Sequence, residues 1–70
     1  MPKTVSGRQA VKVLCKSFGF SVVSQRGSHI KLKSRTAVTI VPNHKELAHG
    51  TLKGALKLAK VSEKDFWNVA

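Results

Sequence analysis

Arg26-Gly27-Ser28-His29-Ile30-Lys31-Leu32-Lys33 is the stretch on which the fold is read. It has the form of a tight turn running into a strand. Gly27 tolerates the positive φ that a sharp turn needs. From His29 onward polar and apolar residues alternate strictly, and a strand sends successive side chains to opposite faces. Ile30 and Leu32 therefore share a buried face, while His29, Lys31 and Lys33 share an exposed one. One imidazole in a row with two cations is an arrangement suited to binding a phosphate and moving a proton beside it.

The pattern repeats outward from this strand. Residues 20–25 form a preceding strand whose Val22-Val23 pair breaks the alternation. Ser34-Arg35 makes a second turn, and residues 36–41 form a β-branched third strand that Pro42 stops. Short connections make the three strands an antiparallel meander. Before them, residues 7–18 show helical spacing, with Val11, Leu14, Cys15 and Phe18 facing the core and Arg8, Lys12 and Lys16 outside. Ser6 and Gln9 form a capping box at its start, and Gly19 closes it. After a polar loop over residues 42–50 carrying His44 and His49, Thr51 caps a second helix over residues 51–60. Its apolar stripe is Leu52, Ala55, Leu56 and Ala59. Lys53, Lys57, Lys60 and Lys64 form a basic stripe, and Gly54 marks close packing on the sheet. Ser62 and Asp65 open a short last helix, with Val61 and Phe66 as a hydrophobic staple and Phe66-Trp67 closing the core. The chain thus reads as one α+β domain over residues 1–70, α-β-β-β-α with a three-stranded antiparallel sheet and a short C-terminal helix. One sheet face takes the helices and the other stays open.

Charge narrows the function. Thirteen Lys and Arg stand against three acids, a formal charge of +10 on 70 residues. Such a balance points to a polyanionic partner, RNA or DNA first and an acidic protein second. The cations are not gathered on one long amphipathic helix, which argues against a membrane surface. No apolar run reaches membrane-spanning length, and Met1-Pro2-Lys3-Thr4 has no signal-peptide core, so a soluble cytoplasmic protein is expected. Cys15 is the single cysteine; it is expected to be a buried, inert thiol. Three histidines and that cysteine have no metal-ligand spacing, so no metal or other cofactor is expected. No carboxylate is placed to orient His29 toward a Ser28 nucleophile. From spacing alone, His29 reads first as a strand residue that contacts RNA.

Five features in order carry a family resemblance: Ser6-Gly7, Gly19-Phe20, Arg26-Gly27-Ser28-His29, Pro42-Asn43-His44 and Gly50-Thr51-Leu52. Together they resemble the HicA (YcfA-like) toxin family of bacterial type II toxin–antitoxin systems, over nearly the whole chain. The resemblance implies a double-stranded-RNA-binding-domain-like fold. It implies a metal-independent endoribonuclease that cleaves single-stranded mRNA and is neutralised by a HicB-type antitoxin. It also implies that the essential histidine of the Gly-Ser-His motif is His29. Arg26, Gly27, Ser28, Lys31 and Lys33 are then the candidate RNA contacts, and His44 is the candidate second acid or base. Two stretches depart from the family pattern. Lys60-Val61 stands where many members have a longer polar linkage, and Leu47-Ala48-His49 is more apolar. The competing reading is a non-catalytic RNA-binding module of the same fold, gripping RNA by phosphate and 2′-hydroxyl contacts.

Overall fold

The computed structural model of the chain describes residues 4–70; Met1-Pro2-Lys3 lies outside the described residues. The element order is α1 (Gly7–Ser17), β1 (Ser21–Arg26), β2 (His29–Lys33), β3 (Val38–Pro42), α2 (His49–Ala59) and α3 (Glu63–Val69). The strands form one antiparallel sheet in the order β1-β2-β3. Ile30, Leu32, Thr39 and Val41 are buried beneath the helices, with Leu14, Leu52, Leu56 and Phe66. The other face is open, so the α+β meander with one covered face is the observed architecture. No helix among the described residues is long and apolar enough to cross a membrane.

The local rules that start α1 operate as read. Ser6 Oγ accepts from the Gln9 N–H at 3.0 Å, and the Ser6 N–H donates to Gln9 Oε1 at 2.9 Å. Gly19 adopts φ 73° after the helix, and Phe20 packs into the core behind it. The buried stripe is shifted from the expected one, however. Gly7, Ala10 and Leu14 are the buried residues of α1, whereas Val11, Cys15 and Phe18 pack only partly against the core. Cys15 is therefore half-buried, not sealed in. The helix lies closer to the sheet along the side where its residues are small, and that side is Gly7-Ala10.

Gly7 is the extreme of that approach. A Cβ on it would lie 1.9 Å from the Pro42 carbonyl oxygen and 2.9 Å from Asn43 Cα. Two backbone hydrogen bonds hold the segments together there. The Gly7 N–H donates to the His44 carbonyl at 2.9 Å, and the Leu47 N–H donates to the Val5 carbonyl at 2.9 Å. Leu47 is buried, which accounts for the apolar character of Leu47-Ala48-His49.

Several boundaries move. Thr51 is not the cap of α2: the helix begins at His49 with Ala48 in the N-cap position and no side-chain cap, because Leu47 is pinned in the core and the chain turns at once. His49 consequently belongs to the helix and not to the loop. The helix stops at Ala59, with Lys60 left-handed at φ 61°. Strand β3 starts at Val38, since Ser34 organises residues 34–37 as a turn: Ser34 Oγ accepts from the Ala37 N–H at 3.1 Å, and the Ser34 N–H donates to the Ala37 carbonyl at 2.8 Å. Pro42 is the last residue of the strand, not the residue after it. β1 runs to Arg26, and its Val22-Val23 irregularity is a β-bulge, Val22 pairing with Leu32 and Ser24 with Lys31. Ser62 caps α3 as expected, its Oγ accepting from the Asp65 N–H at 3.0 Å, and Phe66 is fully buried.

Gly54 is the last correction. Nothing lies within 4 Å of a Cβ built on it, so close packing is not why glycine stands there. Two substitutions separate the two kinds of glycine. Gly54→Ala should stabilise the protein by about 0.5–1 kcal/mol, because the helix loses the entropic penalty without a clash. Gly7→Ala should destabilise it by at least about 1–3 kcal/mol through overpacking. Thermal melts should therefore move in opposite directions, by roughly 4–8 °C for each kcal/mol in a chain of this size. An unchanged or raised melting temperature for Gly7→Ala would contradict the packing described.

Candidate functional site

The hairpin between β1 and β2 positions the Gly-Ser-His sequence. Arg26 pairs with His29, leaving Gly27-Ser28 as a two-residue turn. Gly27 takes φ 55° and Ser28 does not take a positive φ, a pattern that requires glycine at the first turn position. The Gln25 side chain braces the turn, its Nε2 donating to the Gly27 carbonyl at 3.1 Å. The turn is also tied to the chain beyond β3, where the Asn43 N–H donates to the Ser28 carbonyl at 2.5 Å.

Residues paired directly across an antiparallel ladder point to the same side. The register therefore lays out the open face in rows. Arg26, His29 and Pro42 form the first; Ser24, Lys31 and Ile40 the second; Ser21, Lys33 and Val38 the third. His29, Lys31 and Lys33 are all exposed, and the strand between them buries Ile30 and Leu32. The three acids, Glu46, Glu63 and Asp65, all lie outside the sheet, so the cations on this face have no counter-charge within it. The face joins Arg26, Gly27, Ser28, His29, Lys31 and Lys33 into one continuous surface.

Val38 and Ile40 add an apolar strip beside the lysines, at 42% and 47% exposure. The sequence reading missed them as surface residues. Both faces of β3 are β-branched, and the one polar residue, Thr39, points inward, where its Oγ1 donates to the Ala55 carbonyl at 2.7 Å. Composition had no means of distinguishing the faces.

A second feature lies beside the turn. Ser6, Arg8, Asn43, His44 and Lys45 line an open cleft of about 410 Å³. His44 is thus placed two residues beyond Pro42, the register partner of His29. Arg8, Asn43 and Lys45 were not singled out from the sequence as site residues. They come together only because α1 docks on the end of β3, and no local motif announces it. His49 takes no part in the cleft; its Nε2 lies 3.8 Å from Glu63 Oε1. Among the described residues, no three His, Cys, Asp or Glu side chains are grouped so as to hold a metal ion.

No curated protein matches the chain. The family model described as HicA toxin of bacterial toxin-antitoxin matches residues 7–61. That match begins at the first residue of α1 and takes in the whole sheet, the hairpin turn, most of the cleft and α2. The chain therefore belongs to the HicA toxin family of bacterial toxin–antitoxin systems, and its partner is a cognate antitoxin.

Proposed function

We propose that this toxin is an endoribonuclease that cleaves mRNA at single-stranded sites, with His29 as the catalytic base and a HicB-type antitoxin as its inhibitor. One observation carries the reading: an exposed histidine flanked by Arg26, Lys31 and Lys33 on a sheet face without acids. RNA supplies its own nucleophile. His29 takes the proton of a 2′-hydroxyl as that oxygen attacks the adjacent phosphorus. The bond from phosphorus to the 5′-oxygen breaks as the new one forms. The products are a 2′,3′-cyclic phosphate and a 5′-hydroxyl, the leaving oxygen receiving a proton. Imidazole suits this work because it titrates near neutrality.

The charges divide the remaining tasks. Arg26 and Lys31 hold the phosphate and stabilise the extra negative charge of the transition state. Lys33 extends the binding track, and the Gly27-Ser28 turn lets the RNA backbone approach closely. His44, at the neighbouring cleft, is the group proposed to protonate the leaving oxygen. The chemistry is independent of metal because both proton transfers are assigned to side chains. A HicB-type antitoxin that covers the His29 face with carboxylates gains association rate and orientation from the opposite charge.

His29→Ala tests the assignment. His29 is exposed at the start of β2, so stability should change by less than about 0.5 kcal/mol. Cleavage of RNA in EDTA should fall by about 10² to 10⁴, the usual contribution of a general acid–base group. RNA affinity, carried by the cations, should hold, as should antitoxin binding. His44→Ala in parallel measures the second proton transfer. A folded His29→Ala protein cleaving at near wild-type rate would refute the mechanism. Wild-type protein that shifts RNA on a gel without shortening it would establish the binding module instead.

A further inference from the structure

We propose that the cleft between α1 and the end of β3 is a second phosphate subsite, holding the RNA phosphodiester next to the one attacked at His29. The proposal deepens the nuclease reading and rests on it for the position of the first phosphate. Arg8 and Lys45 supply the charge and reach the cleft from segments far apart in sequence. Among the described residues, neither side chain makes a hydrogen bond or an ion pair. Glu46 follows Lys45 in the chain but does not line the cleft and, among the described residues, pairs with no cation. Two uncompensated cations in one concavity favour an anion.

The polar groups around them suit phosphate oxygens. Ser6 Oγ accepts from the Gln9 N–H and keeps its own proton to donate. The Asn43 side-chain amide lines the same cleft, with two N–H donors of its own. The backbone at the start of α1 is not the main source of the site. The N–H groups of Ser6, Gly7 and Gln9 are already bonded to Gln9 Oε1, the His44 carbonyl and Ser6 Oγ. Of the N–H groups over residues 6–9 only that of Arg8 has no bond among the described residues, so side chains supply most of the donors.

Chain connectivity sets the cleft near His29. His29 is paired with Pro42, and the Ser28 carbonyl accepts from the Asn43 N–H. The cleft residues follow directly, at positions 43–45. Lys45 lies three residues beyond Pro42, and three residues of extended chain span at most ~11 Å, of the order of one to two nucleotide steps along a phosphate backbone. An RNA strand with one phosphate at His29 thus carries a nearby phosphate to Arg8 and Lys45, and the proposal assigns it to the adjoining nucleotide. The occupant is a phosphodiester of the same strand, and the subsite aligns the substrate by holding it on both sides of the scissile bond.

The test uses binding without cleavage. A short single-stranded oligonucleotide with 2′-O-methyl groups lacks the nucleophile, and its affinity is measured by anisotropy across a salt series. The doubly substituted R8Q/K45Q protein should show a log–log salt slope shallower than wild type by about 0.7, the change expected when one phosphate contact of a single strand is lost. The K12Q/K16Q protein makes the same change in net charge one and two turns farther along α1, where neither lysine lines the cleft, and its slope should match wild type. Both pairs are exposed, and melting curves confirm that each variant is folded. An R8Q/K45Q slope equal to wild type, or an equal change in K12Q/K16Q, would overturn the subsite. Cleavage of the all-ribose oligonucleotide by wild type is scored separately. If it is absent while the slope difference stands, the catalytic reading falls and the subsite remains. If it is present while the slopes coincide, the subsite falls and the catalytic reading remains.

Discussion

The close approach of Gly7 to Pro42 and Asn43 is the constraint on which the rest of the structure depends. Only a residue without Cβ lets α1 start flush against the end of β3. That contact allows the Gly7 N–H to reach the His44 carbonyl and the Leu47 N–H to reach the Val5 carbonyl. The Asn43 N–H then ties the same segment to the Ser28 carbonyl. Three parts of the chain, the start of α1, the β1–β2 turn and the stretch after β3, are thus locked at one corner of the sheet. The candidate chemistry sits at this corner. His29 begins β2 there, and the cleft opens there. Helix and turn are positioned by backbone contacts, which leaves the side chains of Arg26, His29, Arg8 and Lys45 free to face solvent.

How much of this the sequence carried depends on the range of the interaction. Elements set by neighbouring residues were legible: the Ser6–Gln9 capping box, the positive φ of Gly27, the alternation of His29–Lys33 and the Ser62 cap of α3 all follow from side chains a few positions apart. Features set by tertiary contact were not. The start of α2 was misplaced at Thr51 because Leu47, a core residue in a polar loop, decides where the chain turns. From the sequence Gly54 looks like the packing glycine, yet the close approach is at Gly7, which also begins α1. At the site the same division holds. The strand residues around His29 are adjacent in sequence and could be grouped on sight. Arg8 and Lys45 lie more than thirty positions apart and are joined only by the fold.

The charge distribution follows from the architecture. A chain with a formal charge of +10 repels itself, and that repulsion is tolerable where the cations are solvated and screened over about 8 Å at physiological ionic strength. Every lysine and arginine among the described residues is exposed, so none carries a burial penalty. What distinguishes the open face and the corner cleft is the absence of acids: all three sit at or beyond position 46. Repulsion between Lys31 and Lys33 persists until something negative arrives. The same uncompensated field favours anions of any kind, and on the proposed reading an RNA backbone and an acidic inhibitor would compete wherever they met the same lysines.

Strand β1 shows how little packing this arrangement needs near the site. None of its six residues is buried. It joins the sheet through its ladder to β2 and through Phe20, which is buried in the residue before it. Its outer edge is unpaired among the described strands, and the bulge at Val22-Val23-Ser24 adds local twist, a common protection of an edge against further pairing. A strand held mainly by backbone bonds opens more easily than one anchored by buried side chains. The hairpin turn would move with it but for the Asn43–Ser28 bond, which fastens the turn to β3, where Thr39 and Val41 are buried. His29 thus takes its rigidity from β2 and β3 while facing the side on which the packing is thinnest.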